Sequence, residues 1–326
     1  MITCQIMGGL GNQLFQIFTT IAYALEQKQT FGFVYHKSSY GITPRSTYWE
    51  NLLVSLKKNT HPSLPKEEKI IKENGFEYHK LPSIIPSIDP SSSSLILLFG
   101  YFQSHLYFEK YWDQIYKMVN FDLLKERVRE KIRKLPLRVE KTQSNISIPS
   151  SNLLTREINE KWYKNAISIH FRIGDYKNLQ DYHNIISYEY YQKSIHFILD
   201  EIEKREKKKT IQQPQQPQQT SQSIHILYFC EEKDKEEVNI ILKKLKTVFP
   251  TIEFIKATDE LEDWEQMLWM SCCKYNIIAN STFSWWGAYL NTAPDRIVCY
   301  PSTWFGPKKN HLNTSNLFPT FWKKIE

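Results

Sequence analysis

The chain has 326 residues, and its 42 Lys and Arg against 35 Asp and Glu give a formal net charge of +7. That length exceeds the usual single-domain range, so two domains are expected, and a 41% hydrophobic content supplies cores that will hold most of the aromatic residues. The cations cluster in helical runs such as Lys125 to Lys134 and Lys204 to Lys209, with no nucleic-acid motif beside them, which excludes a nucleic-acid partner.

In chain order, the first part reads as strands at Ile2 to Met7, Gly32 to Tyr35 and Leu95 to Tyr101. Helices are expected at Gln13 to Lys28, Leu106 to Val119 and Leu123 to Leu135. These make an α/β domain over residues 1–140. Polar sequence over 141–160 reads as a linker. A second domain, 161–303, follows with strands at Ala166 to Phe171, His225 to Cys230, Ile252 to Ile255, Tyr275 to Ala279 and Arg296 to Tyr300. Helices near Tyr188 to Glu203, Lys235 to Val248 and Leu261 to Cys273 separate them. Alternation of this kind predicts a mostly parallel, doubly wound sheet with helices on both faces. Within this domain, residues 207–222 carry the Gln/Pro run from Gln212 to Gln219, which has almost nothing apolar to bury and reads as a disordered insertion. The aromatic tail, 304–326, is expected to pack back on the first domain.

The five cysteines, Cys4, Cys230, Cys272, Cys273 and Cys299, lie mostly in apolar runs without metal-site spacing, and read as buried free thiols in a reducing compartment. Met1 leads within a residue into the first strand, and no apolar stretch approaches the ~20 residues that span a bilayer. A soluble, cytoplasmic protein with no integral membrane segment is expected.

Three segments carry the chemistry. Gly8-Gly9-Leu10-Gly11-Asn12-Gln13 joins the first strand to a helix, and glycines there let backbone N–H groups approach a ligand. His170-Phe171-Arg172-Ile173-Gly174-Asp175 ends a strand where a parallel sheet opens its binding crevice; the fork of Arg172 matches phosphate bidentately. Asn280-Ser281-Thr282-Phe283-Ser284 follows a buried strand and opens a helix, whose free N–H groups and dipole favour an anion. A nicotinamide site is a poor match, since Gly9-x-Gly11 lacks the third glycine of that fingerprint and Glu26 inside the helix is the nearest acid at ribose spacing.

Together with Gly100-Tyr101-Phe102-Gln103-Ser104, Tyr176, and the run Asn276 to Ala288, these segments resemble the α-1,2-fucosyltransferase family, glycosyltransferase family 11. The resemblance implies a GT-B fold with two Rossmann-like domains facing a central cleft. It implies inverting transfer of fucose from GDP-fucose to a galactoside hydroxyl of a glycan acceptor, with no metal required, and it leaves the oligomeric state open. The donor-binding set it suggests is Gly9, Gly11, Asn12, His170, Arg172, Gln266, Asn280, Ser281, Thr282, Phe283 and Ser284; Glu231 joins it by position, just past the strand ending at Cys230, where an acid could hold ribose hydroxyls, a solvated loop being the alternative. Catalytic roles fall to Arg172, Asp175, His170 and Asn12: Arg172 stabilises charge growing on the leaving diphosphate, and Asp175 is the first candidate for general base, ahead of Asp181. Asp175 has an alternative role, fixing the turn or pairing with Arg172, and Glu189 reads as exposed. The chain departs from the family pattern at two places. Ile173 replaces a second Arg, and Gln266 stands where relatives carry Asp toward the guanine edge. Those departures keep open a transferase that uses another nucleotide sugar, or a catalytically silent nucleotide-sugar or glycan-binding protein.

Overall fold

Parallel strands organise both halves of the chain. The computed structural model describes residues 1–40, 44–66, 69–84, 95–135, 160–212 and 224–326. These divide into one compact unit formed by Met1–Leu124 with Asn310–Thr320, and a second formed by Lys125–Lys309 with Phe321–Glu326.

In the first unit, β1 (Ile2–Cys4) leads into α1 (Leu10–Glu26), followed by β2 (Phe33–Val34), β3 (Thr60–His61), β4 (Lys69–Lys72) and β5 (Ile96–Phe99). A three-stranded parallel sheet runs in the order β1-β5-β4, and β2 pairs with β3 beside it. Helix α1 forms because Leu14, Phe15, Phe18 and Ile21 line up on it, and nothing breaks the run before Gln27; all four are fully buried. β1 ends earlier than expected, at Cys4, and further along Met7 spends both backbone groups on the side-chain amide of Gln16. Its N–H donates to Gln16 Oε1 at 2.8 Å, and Gln16 Nε2 donates to its carbonyl at 3.1 Å. The helix expected from Leu106 is two short 3-10 turns followed by α2 (Trp112–Val119). After Asn120, which is left-handed at φ 63° and ends α2, α3 (Phe121–Arg133) begins.

The second unit starts within α3, at Lys125 rather than near residue 140. It contains α4 (Glu160–Tyr163), β6 (Ala166–His170), α5 (Tyr188–Gln212), β7 (His225–Phe229), α6 (Lys235–Val248), β8 (Glu253–Lys256), α7 (Asp263–Cys272), β9 (Tyr275–Ile277), α8 (Thr282–Tyr289), β10 (Ile297–Pro301) and β11 (Lys323–Ile325). Helix α5 extends through Gln212, into the span expected as an insertion; residues 213–222 of that span lie outside the described residues, as do 141–159 of the expected linker. All six strands are parallel, in the order β11-β10-β9-β6-β7-β8. Numbered from β6, that is 3-2-1-4-5-6 read from the β8 edge, the doubly wound Rossmann order. The tail is divided: Asn310–Thr320 lies in the first unit, where the Asn316 carbonyl accepts from Ser104 Oγ, and β11 closes the second unit's sheet against β10.

Strands β6 and β7 are buried along their whole length, which is why they read as continuous apolar runs rather than alternating ones. Helix α6 covers the sheet with Val238, Leu242 and Leu245 at i, i+4 and i+7, all nearly or fully buried. Each contributes about 1.5–3 kcal/mol of transfer free energy. Helix α7 starts on a reciprocal cap in which Glu262 accepts from the backbone of Glu265 and the Glu265 carboxylate accepts from the N–H of Glu262 at 2.9 Å. The five cysteines are buried and free. Among the described residues, no helix is long and apolar enough to cross a membrane.

Candidate functional site

In a sheet of this order the crevice opens where the winding reverses, between β6 and β9, outside their carboxyl ends. His170 is the last residue of β6, and Arg172 follows it. Ile277 ends β9, and Asn280 through Ser284 follow into α8. Two of the three sequence segments therefore flank one crevice, and they touch: the His170 and Phe283 rings lie 5.3 Å apart, and Tyr176 Oη donates to the Asn280 carbonyl at 3.1 Å.

His170 is buried, and its Nδ1 has no hydrogen-bond partner among the described residues. Burial, with the Arg172 cation adding to it, pushes its pKa down to about 3. At neutral pH the ring is uncharged, so it offers one donor and one acceptor rather than a cation. Across the crevice, Asn280 Nδ2 donates to the carbonyls of Asn184 and Trp304, while its buried Oδ1 has no partner among the described residues. Two buried polar atoms without a partner thus stand beside the crevice, although others in the described residues, such as Thr3 Oγ1 and Thr19 Oγ1, are also unpartnered.

Arg172 Nη2 is paired with Asp175 Oδ1 at 2.5 Å, and Nη1 with Glu231 Oε1. The guanidinium lies over the Tyr176 ring, 5.0 Å from its centroid, and His183 stacks with Tyr176 at 4.6 Å. Arg172 is thus oriented by aromatic packing as well as by charge. Burial raises the Glu231 pKa, but the bond from Lys233 and the Arg172 charge outweigh it and hold the carboxyl below its ordinary range. The alternative role for Asp175 is realised here, since it occupies the Arg172 fork. Asp181 lies apart on the surface, paired with Lys308 at 2.7 Å, and Glu189 is exposed.

At the start of α8, Ser281 has the extended backbone of an N-cap residue but makes no side-chain cap bond. Its hydroxyl is not committed to the helix, unlike that of Ser284, which is buried and bonds back to the carbonyls of Ala279 and Ser281. Ser284 is a structural residue in this geometry; Ser281, Thr282 and Phe283 are each half-buried, and of these Phe283 meets His170. Gln266 Nε2 donates to the Leu261 carbonyl at 3.1 Å, so its amide is partly occupied in closing the start of α7.

The glycine segment belongs to the first unit. The residue there that requires glycine is Gly8, with φ +75°; Gly9 is extended and Gly11 is already helical. Asn12 Oδ1 accepts from Gln103 Nε2 at 2.9 Å, and Gln13 Nε2 donates to the carbonyls of Gly8 and Ser46. Two motifs separated by some ninety positions are therefore bonded to each other. Glu73 anchors the second by accepting from the N–H groups of Tyr101 and Phe102, both at 2.7 Å. It could not be read from the sequence, because a lone Glu at a strand end carries no signal.

Among the described residues, no group of three or more His, Cys, Asp or Glu could hold a metal ion. A cavity of about 340 Å³ lies in the first unit and is lined in part by Thr3, Gln5, His36, Tyr40 and Thr47. It contains none of the donor-site residues.

The model of glycosyl transferase family 11 matches residues 238–325, which span α6 to β11 and include the α8 start. The resemblance to family 11 carried by the α8 motif is thus supported over that part of the second unit. An alpha-1,2-colitosyltransferase of Escherichia coli is 24% identical over 100% of this chain and 99% of its own length. The O-antigen biosynthesis glycosyltransferase WbnK of Escherichia coli is 30% identical over 45% of this chain and 42% of its own length. Solved structures of POFUT1 align weakly: the complex with GDP covers 92% of this chain and 97% of POFUT1 at 12% identity with a TM-score of 0.42, and a complex with GDP-fucose gives 0.38 at 13%.

Proposed function

We propose that the chain is an inverting glycosyltransferase that moves fucose from GDP-fucose to a galactoside hydroxyl of a glycan. The observation that supports this most is the meeting of the β6 and β9 ends, which sets Arg172, neutral His170 and the uncapped start of α8 around one crevice. As the diphosphate leaves, negative charge grows on its β-phosphate. Arg172 supplies a permanent cation against that charge, and the first-turn N–H groups of α8 supply aligned donors. His170 contributes a hydrogen bond without a second positive charge. An incoming diphosphate competes with Asp175 and Glu231 for the Arg172 fork, so donor binding releases at least one carboxylate. Asp175, once released, is placed to take the acceptor proton. These protein charges do the work a divalent cation would do, so the reaction is proposed to need no metal.

A second reading, transfer of another sugar, is favoured by the full-length similarity to a colitosyltransferase and by Gln266, whose neutral amide selects guanine less well than a carboxylate would. Transfer assays with GDP-fucose and a panel of other nucleotide sugars, scored on a terminal β-galactoside, test both. Turnover from GDP-fucose alone supports the first reading. Turnover only from another donor supports the second, and binding without turnover from any would leave a sugar-nucleotide-binding protein.

A further inference from the structure

Asp234 is almost completely buried, at 1% exposure, in the turn that joins β7 to α6. It stands at the N-cap position of α6, where an aspartate ordinarily accepts hydrogen bonds from the first-turn N–H groups. It makes no such bond. Its Oδ2 instead accepts from the backbone N–H of Gly174 at 2.6 Å, sixty residues away in sequence and two after Arg172. Its Oδ1 lies 3.3 Å from Lys177 Nζ, an ion-pair distance without hydrogen-bond alignment, and Lys177 is in turn paired with Glu237. A buried carboxylate needs partners of this kind to remain charged without a large desolvation penalty. It has found them on the turn that carries Arg172 rather than on its own helix.

Gly174 has φ +28°, a conformation that side chains resist, and a Cβ there would approach Glu231 Oε1 at 3.1 Å. The turn is thus tight against the end of β7, and two acids from that end grip it at two points: Glu231 on the guanidinium of Arg172, Asp234 on the backbone of Gly174. We infer that Asp234 is a positioning residue, which sets the direction of Arg172 and Asp175 by clamping the Gly174 N–H. The inference rests on the proposed donor site, because it is there that the direction of Arg172 matters. A charge-assisted hydrogen bond to a buried amide is directional as well as strong, and the alignment it enforces is of the kind on which transition-state contacts depend.

The test uses Asp234→Ala and Asp234→Asn in the full chain. Asn can still accept from the Gly174 N–H but cannot pair with Lys177; Ala does neither. Amide hydrogen exchange at Gly174, read by NMR in the absence of any donor, is expected to speed up at least tenfold in Asp234→Ala and to stay within threefold in Asp234→Asn. In transfer assays below the melting temperature of both variants, kcat is expected to fall at least tenfold for Ala and distinctly less for Asn, with KM for the acceptor within threefold throughout. Unchanged Gly174 exchange in Asp234→Ala, or kcat within threefold of the parent, overturns the inference. Should the Ala variant not fold, Asp234→Asn decides: faster Gly174 exchange by tenfold or more would contradict the clamp. If the parent chain transfers no sugar at all, the proposed function fails, while the exchange measurement still judges the clamp.

Discussion

Replacing His170 with Gln removes a buried group that titrates far below its ordinary range, and the consequence for stability can be worked out. The pKa of His170 falls from 6.5 to about 3 on folding, through burial first and the Arg172 charge second. Between those values the unfolded chain binds a proton and the folded chain does not, so stability is fully present above pH 6.5 and is lost as pH falls toward 3. The slope approaches about 1.4 kcal/mol per pH unit, and integration from pH 7 to pH 5 gives a loss of about 2 kcal/mol from this residue. Gln does not titrate, so His170→Gln should lose about 2 kcal/mol less over the same interval, whatever its stability at pH 7. His105, with a pKa pushed down to about 4 by burial, belongs to the first unit, and His183, lowered chiefly by burial, contributes to both proteins equally. Urea titrations of both proteins at pH 5, 6 and 7, followed by tryptophan fluorescence, give the difference, because every other group is common to the two. If the two proteins differ by less than about 0.5 kcal/mol between pH 7 and pH 5, His170 is not a neutral buried group, and its assigned part as an uncharged partner in the crevice is wrong.

Arg172→Lys keeps the charge but loses the fork and the stacking on Tyr176, and should fold normally while losing about 2–4 kcal/mol of transition-state stabilisation; kcat/KM within threefold of the parent would remove Arg172 from the site. EDTA should leave the initial transfer rate nearly unchanged, whereas abolition by chelator and recovery with Mn²⁺ or Mg²⁺ would reject the metal-free reaction. Gln266→Asp should tighten GDP by ~1–2 kcal/mol and weaken UDP, as a charged acceptor replaces a neutral one. Equal affinities by titration calorimetry would mean that Gln266 serves only the Leu261 carbonyl that it bonds here.

Much of the second unit is legible in the sequence, for a physical reason. Its central strands are buried on both faces, so β6, β7 and β9 stand out as apolar runs, and α6 begins and ends where its periodicity says it should. β11 was missed because Lys323-Lys324-Ile325 forms the outer strand, where a solvated edge needs little apolar sequence; β4, as Lys69–Lys72, hid in the same way. At the candidate site, residue types point to Arg172 and the α8 start, and the segments that carry them meet through His170 and Phe283. What could not be read were partnerships. Glu231 on the fork of Arg172, Gln103 on Asn12, and Asp234 on Gly174 all join positions distant in the chain. Ser284 and Gln266 look like ligand contacts in one dimension, and in three their polar groups bond to backbone.

The claim on which everything else depends is that the crevice between β6 and β9 receives a guanosine diphosphate sugar through Arg172. Thermal unfolding of the parent chain and of Arg172→Ala, each with GDP-fucose, GDP, UDP and NAD, tests it most directly, because a ligand bound only to the folded state stabilises by about 2.7 kcal/mol at a hundredfold excess over Kd. The account predicts that GDP-fucose and GDP raise the melting temperature of the parent well above UDP and NAD, and that the rise disappears in Arg172→Ala. Equal shifts in the two proteins, or a shift with NAD alone, would contradict it.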